Sequence, residues 1–184
     1  MGNNLLELTG VSAEFQRKRI IDTINLAVPK RSRVSIIGTS GCGKSTLLKL
    51  IAGLLRTPAW QVTGQAAIEG KCFNAGDSAT LLTNCGRQYA FIAQDSLSIF
   101  DPRLKIKEHF LEISRLRDGE KEEFLLQVMS LLRNLLITDP ERVLESYRNE
   151  LSGGTLQRIS IAMGLIHKPR LLIACLLYTS DAAD

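Results

Sequence analysis

The chain has 184 residues, of which 45% are hydrophobic and 23% are charged, and it carries a formal net charge of +4 at pH 7. These values are typical of a soluble globular protein and exclude a disordered or fibrous chain. No apolar run approaches the ~18 residues of a transmembrane helix, and the N-terminus lacks the pattern of a signal peptide, so we expect a cytosolic chain. The four cysteines include no Cys-x-x-Cys pair, which argues against a zinc site.

The N-terminal third predicts strands that lead into a glycine-rich turn and a helix. Apolar and polar residues alternate over residues 5–15, and a second strand pattern covers 19–28. Residues 34–37 form a short apolar run that is typical of a buried strand. Residues 44–55 are apolar on most sides, which favours a buried helix that ends before Pro58.

The turn between that third strand and the helix matches a phosphate-binding loop. Residues 38–45 read Gly-Thr-Ser-Gly-Cys-Gly-Lys-Ser, which fits the pattern G-x-x-x-x-G-K-[ST]. Glycines let successive N–H groups turn inward, and the helix N-terminus adds the positive end of its dipole. We expect Lys44 to act catalytically on the β- and γ-phosphates and the Ser45 hydroxyl to bind Mg²⁺. The nucleotide-binding residues predicted here are Gly38, Thr39, Ser40, Gly41, Cys42, Gly43, Lys44, Ser45 and Thr46.

The remainder of the chain predicts alternating strands and helices. Strand patterns cover residues 63–70, 89–93 and 171–174, and the pattern is helical between 106 and 143. A further helix is expected from near Ser152 to about Ile166. This order indicates an α/β domain with a helical subdomain at about residues 100–152.

A second candidate phosphate site lies at the start of that last helix. Residues 151–158 read Leu-Ser-Gly-Gly-Thr-Leu-Gln-Arg, which places Ser152, Gly153 and Gly154 at the helix N-terminus. Their N–H groups and the helix dipole favour an anion. Taken alone, Ser-Gly-Gly is also good helix-capping chemistry. Two anion sites about a hundred residues apart in one chain are hard to attribute to chance.

These two motifs, in this order and spacing, resemble those of ABC ATPases. The resemblance implies a P-loop NTPase core with an N-terminal antiparallel β lobe and a helical subdomain, binding ATP and Mg²⁺. It implies a head-to-tail dimer with a second ABC ATPase subunit, in which the loop of one subunit and the Ser152 motif of the other enclose each ATP. It also assigns Gln94 to Mg²⁺ or the attacking water, Phe15 to stacking on adenine, and Gln157 to the nucleotide site.

Three segments narrow the resemblance to the ATPases of oligopeptide, dipeptide and nickel importers. They are residues 94–102, 139–142 and 156–163. The likeness implies transmembrane permease subunits as partners, a substrate-binding protein indirectly, and a place on the inner face of the cell membrane. It implies peptides or metal chelates as the transported substrate and no nucleic-acid partner.

The C-terminal residues depart from this family. After residues 171–174 the family continues Asp-Glu-Pro-Thr, in which the Asp helps to hold Mg²⁺ and the Glu is the general base. This chain has Cys175 and Leu176 there, and residues 175–184 resemble a translated sequencing adapter. We therefore expect a partial nucleotide-binding domain over residues 1–174, incomplete at its C-terminus, and a non-native tail over 175–184. Such a chain is expected to bind ATP without hydrolysing it.

Two other functions stay open on the sequence. One is a soluble ABC protein that acts on ribosomes or nucleic acid without membrane partners, although the interval between the two motifs is too short for a second cassette. The other takes the tail as genuine and makes the chain a non-hydrolysing, nucleotide-binding regulator.

Overall fold

The computed structural model describes residues 3–56, 58–83, 88–95, 97–114 and 121–175, without the side chains of 81–83. The chain divides into two compact units, Met1–Cys85 and Gly86–Asp184. The expected boundaries of the helical subdomain and of the non-native tail stay predictions, and residues 176–184 lie outside the described residues.

The first unit contains an antiparallel sheet built from the alternating segments of the sequence. Its strands are β1 (Asn4–Phe15), β2 (Lys18–Pro29), β3 (Trp60–Ile68) and β4 (Lys71–Asn74). They lie in the order β2-β1-β3-β4, so β1 is paired on both sides. The buried side chains of β1 are those of Leu5, Leu6, Leu8, Val11 and Ala13. The strands predicted over residues 5–15, 19–28 and 63–70 are thus confirmed, and β4 and the short helix α2 (Ser78–Thr83) are additions.

A two-residue turn joins β1 to β2, and a bulge follows it. Gln16 and Arg17 both have positive φ, at 49° and 66°, as a type I′ hairpin turn requires. The pairing then shifts, because Glu14 pairs with Arg19 whereas Ala13 pairs with Ile21. Ile20 is the extra residue, and such a bulge bends a strand and turns its side chains toward a neighbouring site.

The strand predicted over residues 34–37 is wrong. Residues 32–39 belong to no strand, and the Val34 and Ile37 side chains are 46% and 92% exposed. An apolar run becomes a strand only when neighbouring strands pair with its backbone, and the sequence pattern does not supply those partners. The predicted phosphate-binding loop is therefore preceded by residues that belong to no strand.

The helix after this loop is shorter than its apolar pattern suggests. Helix α1 covers Lys44–Ile51 instead of residues 44–55. Gly53 ends it in the left-handed conformation, with φ 69°. The Gly53 N–H bonds to the Leu50 carbonyl and the Leu54 N–H to the Lys49 carbonyl, which is the Schellman pattern. Gly53, and not Pro58, terminates the helix.

The second unit combines two parallel strands with a group of helices. The strands are β5 (Tyr89–Ile92) and β6 (Leu171–Ala174), which pair from Tyr89↔Leu171 to Ile92↔Ala174. Between them run α3 (Ile106–Ser114), α4 (Lys121–Asn134), α5 (Pro140–Glu145), a short 3₁₀ helix (Arg148–Glu150) and α6 (Gly153–Leu165). A parallel pair needs such a crossover connection. The strands and the helical region predicted for this half of the chain are confirmed.

The helices of the second unit share one apolar core. It contains Phe100 and residues from α3, α4, α5 and α6, many of them fully buried. The hydrophobic side chains buried to 1% exposure or less are Phe100, Ile106, Phe110, Val128, Leu132, Leu156, Ile159 and Ala162. Burial of a Leu, Ile or Phe side chain contributes about 1.5–3 kcal/mol each, so this cluster fixes the position of α6 and its N-terminus.

Candidate nucleotide-binding site

Two left-handed glycines shape the loop that precedes α1. Gly41 and Gly43 have φ values of 78° and 96°, which side chains with a Cβ rarely adopt. A Cβ built on Gly38 would lie 2.8 Å from the Cys42 sulfur, so the loop also closes tightly across its base. Gly43 is the N-cap of α1, and no acidic residue lies in the first turn of that helix. The result is an electropositive helix end behind a glycine-rich curve, the arrangement that binds phosphate.

Lys44 lies across this loop. Its Nζ donates hydrogen bonds to the carbonyl oxygens of Gly38, at 2.7 Å, and Thr39, at 2.6 Å. The ammonium group is therefore held at the loop itself by two of its own carbonyls. An anion bound by the loop would meet a positive charge that is already in place, which reduces the ordering cost of binding.

The loop rests on the bulge of β2. A Cβ at Gly43 would lie 3.1 Å from the Ile20 carbonyl oxygen, with the Ile20 and Ile21 side chains within 4 Å. Ile21 pairs directly with Ala13, so their side chains share one face of the sheet. Phe15, two residues beyond Ala13, lies on that same face. The loop therefore lies near Ile21, the partner of Ala13, and Phe15 lies about 7 Å beyond Ala13 along β1, by the rise of two residues.

Phe15 stands at the end of β1 with part of its ring open. It is 36% exposed and contacts Trp60 of β3, with ring centroids 4.9 Å apart and planes inclined at 47°. Ala13, two residues earlier on the same face, is completely buried. The position fits the predicted stacking residue for adenine, and that role stays a proposal.

The second phosphate element is capped as the sequence predicts. The Ser152 hydroxyl accepts a hydrogen bond from the Thr155 N–H at 3.2 Å, which caps α6. A Cβ built on Gly153 or Gly154 would meet nothing within 4 Å, so the space around these first two helical residues is open. Their N–H groups have no acceptor within the helix, because the first turn leaves its donors unpaired. Gln157 is exposed one turn further on.

The Arg158 side chain is bonded to carbonyl groups at this end of the helix. Its Nη1 donates to the Leu136 carbonyl at 3.1 Å, and its Nε to the Gly154 carbonyl at 3.3 Å. A cavity of about 280 Å³ lies beside it and is lined by two arginines and two carboxylates, among other residues: Asp139, Arg142, Glu150 and Arg158. Since these charges balance, the helix N-terminus is the main attraction for an anion here.

Gln94 and Cys175 meet at the carboxyl ends of the parallel strands. Gln94 is exposed directly after β5, and the Cys175 sulfur lies 3.9 Å from its Oε1. The Cys175 N–H bonds to the Ile92 carbonyl at 2.9 Å and so extends the ladder by one residue. This edge of a parallel sheet is where α/β proteins place their functional groups.

The predicted residues thus form two groups. Phe15 and residues 38–46 belong to the first unit, whereas Gln94, Ser152, Gly153, Gly154 and Gln157 belong to the second. The predicted Mg²⁺ ligands Ser45 and Gln94 fall in different units, and their shared role stays a prediction. Sequence reasoning missed Trp60, although a lone tryptophan at the start of a strand was a visible signal.

A glycine loop with the phosphate-binding sequence pattern at one helix start, together with a capped Ser-Gly-Gly start on a second helix, is the combination typical of an ABC nucleotide-binding cassette. A model of the ABC transporter family matches residues 21–174, and the chain belongs to that family. The predicted P-loop NTPase fold is also confirmed by solved structures. The dimeric structure of MJ0796, a bacterial ABC transporter cassette, superposes with a TM-score of 0.77 at 25% identity, over 92% of this chain and 72% of that one.

Two curated relatives are, by name, ATP-binding proteins of a transport and an import system. The chain is 31% identical over 179 residues to the oligopeptide transport ATP-binding protein OppD of Lactococcus lactis subsp. cremoris (strain SK11), which covers 93% of this chain and 52% of that protein. It is 32% identical over 159 residues to the metal-staphylopine import system ATP-binding protein CntD of Staphylococcus aureus (strain NCTC 8325 / PS 47), at 84% and 57% coverage. The chain spans about half the length of these relatives. Within the part of the chain that the structure describes, no helix is long and apolar enough to cross a bilayer.

Proposed function

We propose that this chain binds MgATP as the nucleotide-binding part of an ABC importer subunit. The observation that carries the proposal is the loop of residues 38–45, with Lys44 held across it and α1 starting directly behind it. Lys44 and the loop N–H groups bind the β- and γ-phosphates, Ser45 binds Mg²⁺, and Phe15 stacks on the base. The open, capped start of α6 receives the γ-phosphate of an ATP bound to a second ABC subunit.

We propose that, where the acidic pair of the family follows β6, this site hydrolyses ATP and drives transport. Gln94 orients the attacking water or Mg²⁺ beside the end of β6, where the family resemblance implies an aspartate and a glutamate. Cys175 occupies the first of these positions, 3.9 Å from Gln94, and a neutral thiol supplies no carboxylate for Mg²⁺. We therefore infer that a chain with Cys175 at this position binds ATP but does not turn it over.

The names of the relatives support a proposal for the partners and the substrate. OppD is named for oligopeptide transport and CntD for metal-staphylopine import, so peptides or metal chelates are the proposed cargo. Transmembrane permease subunits and a second ABC subunit are the proposed direct partners, with a substrate-binding protein acting through the permease. The protein then works on the cytoplasmic face of the cell membrane.

Calorimetric titration of the purified chain with MgATP tests the binding proposal. Lys44→Ala removes a charged donor from the phosphates and is expected to weaken binding at least about tenfold. Lys49→Ala is the matched control, since it removes an exposed lysine from the last turn of the same helix. No heat of binding in the unsubstituted chain, or equal effects of the two substitutions, would contradict the proposal.

One observation favours the alternative of a non-hydrolysing regulator, namely the cysteine beside Gln94. The gene can be sequenced across codon 174 by a method that adds no adapter sequence to the DNA. The result separates the hydrolysing transporter subunit from the non-hydrolysing regulator. Continuation into Asp-Glu-Pro-Thr establishes a hydrolysing transporter subunit. Persistence of residues 175–184 in the template, together with ATP binding and no phosphate release, establishes the regulator.

A further inference from the structure

Trp60 and Phe15 form an aromatic pair that is held in place by strand pairing and by a neighbouring backbone hydrogen bond. The two residues are direct cross-strand partners of β3 and β1, and their centroids lie 4.9 Å apart. The Gln16 N–H also bonds to the Ala59 carbonyl at 3.0 Å, which ties the hairpin tip to the residue before Trp60. The Gln16–Arg17 turn, in which both residues have positive φ, is thus held against the start of β3, next to the pair.

The pair lies at the open rim of an otherwise buried face. Ala13, two residues before Phe15 on the same face of β1, is completely buried, whereas Phe15 is 36% exposed and Trp60 is half-buried. Lys18 pairs with Phe15 from the opposite side, so a cation and two rings stand in one row across three strands. An exposed ring costs free energy in water and is favourable where a planar ligand covers it.

The face on which this rim lies is also the face that carries the phosphate-binding loop. Gly43 rests on Ile20 and Ile21, and Ile21 pairs with Ala13, which neighbours Phe15 on that face. A nucleotide whose phosphates bind the loop can extend along the sheet and place its base at the rim. The sheet therefore sets both the distance and the side from which the base approaches the rings.

We propose that Trp60 is a positioning residue for the nucleotide base: it holds the Phe15 ring at the tilt at which one Phe15 face stays open for stacking. The proposal rests on the ATP-binding function above and adds a second aromatic residue to it. Without Trp60, Phe15 loses its cross-strand partner, and its ring is free to cover the gap that the base would occupy. Binding of the phosphates does not depend on Trp60.

The first test needs no substitution, because Trp60 is the only tryptophan in the chain. Its fluorescence is followed while the chain is titrated with MgATP and, separately, with inorganic tripolyphosphate, which has no base. We expect ATP to change the emission and tripolyphosphate to leave it unchanged, with binding of both monitored by calorimetry. Equal emission changes with the two ligands, or none while both bind, would overturn the proposal.

The second test measures base-dependent affinity in variants. Trp60→Leu is expected to weaken ATP binding about three- to tenfold and to leave tripolyphosphate binding unchanged, whereas Trp60→Phe restores most of the ATP affinity. Phe73→Leu is the control, since it removes a ring from β4 of the same sheet. If neither ATP nor tripolyphosphate binds to the unsubstituted chain, the ATP-binding function itself is refuted. ATP affinity that is unaffected by Trp60→Leu would refute only the role of Trp60.

Discussion

Arg148 donates a hydrogen bond from Nη1 to the main-chain carbonyl of Phe100, at 2.7 Å. The same nitrogen donates to the Leu97 carbonyl at 2.9 Å. These bonds join the segment that follows Gln94 to the 3₁₀ helix that leads into α6. Two elements of the proposed nucleotide site in the second unit are therefore connected through one guanidinium group.

Replacement of Arg148 by alanine should destabilise this unit by about 2 kcal/mol. The charged donor is partly buried, and its loss leaves two carbonyls without their partner. Urea unfolding measures the cost, and hydrogen exchange should show faster opening of residues 97–104. Arg103→Ala is the control, because Arg103 is 85% exposed and its ion pair with Asp101 is expected to contribute less than about 1 kcal/mol. Equal costs for the two arginines would show that the Arg148 bonds add nothing.

Replacement of Leu136 by glycine should stabilise the protein by about 1 kcal/mol. Leu136 follows α4 with φ at 62°, and its side chain is 79% exposed, so little packing is lost with it. The left-handed conformation costs a residue with a Cβ about 1–2 kcal/mol, part of which returns as the greater freedom of glycine in the unfolded chain. The Leu136 N–H bond to Arg133 and the Ile137 N–H bond to Leu132 complete a Schellman end that glycine also fits.

A second glycine substitution gives the opposite sign and serves as the control. Leu126 is 62% exposed within α4, where Leu126→Gly is expected to lower stability by about 1 kcal/mol. Thermal unfolding of both variants measures the difference. A destabilising Leu136→Gly would mean that the leucine side chain makes contacts worth more than the backbone strain.

The close approach of β3 to β1 at Gly64 should not tolerate a methyl group. A Cβ there would lie 2.6 Å from the Gly10 carbonyl oxygen and 2.7 Å from the Val11 Cα, and both atoms belong to the backbone. Gly70 also has a left-handed φ, at 80°, but a Cβ there would meet nothing within 4 Å. Gly70→Ala thus isolates the conformational cost of about 1 kcal/mol, and Gly64→Ala should exceed it by at least about 2 kcal/mol. Similar melting temperatures for the two variants would contradict the close approach.

The features that the sequence predicted correctly depend on local rules. Ser152 caps α6 because a hydroxyl at that position can reach the N–H three residues on, whatever the rest of the chain does. The glycines at 41 and 43 likewise adopt the left-handed conformation that the loop pattern requires. Alternation over β1 predicted its buried face for the same reason, since the period of two is a property of the strand alone.

The features that the sequence did not predict depend on partners that are distant along the chain. Residues 34–37 have the composition of a buried strand and form none, because pairing decides the outcome. The contact between Phe15 and Trp60 follows from the register of β1 on β3, which bulges shift and no local pattern specifies. The bonds from Arg148 to Leu97 and Phe100 span about fifty residues and were equally invisible.

Acidification should weaken the second unit through Glu145. Hydrogen bonds from Lys107 and then from Lys105, at 2.5 and 2.9 Å, lower the pKa of Glu145 from 4.5 to about 2. Because the pKa of the folded state is depressed, the stabilisation is complete above pH 4.5 and is lost as the pH falls from there toward 2. Glu145→Gln should therefore lower the melting temperature at pH 6 and change it little near pH 2. Since Glu145 is 53% exposed, added salt should reduce the difference at pH 6.

Glu112→Gln, a substitution on α3 outside this ion-pair cluster, is the control. A difference between Glu145→Gln and the unsubstituted chain that is independent of pH would show that the lysines do not act through the carboxylate charge.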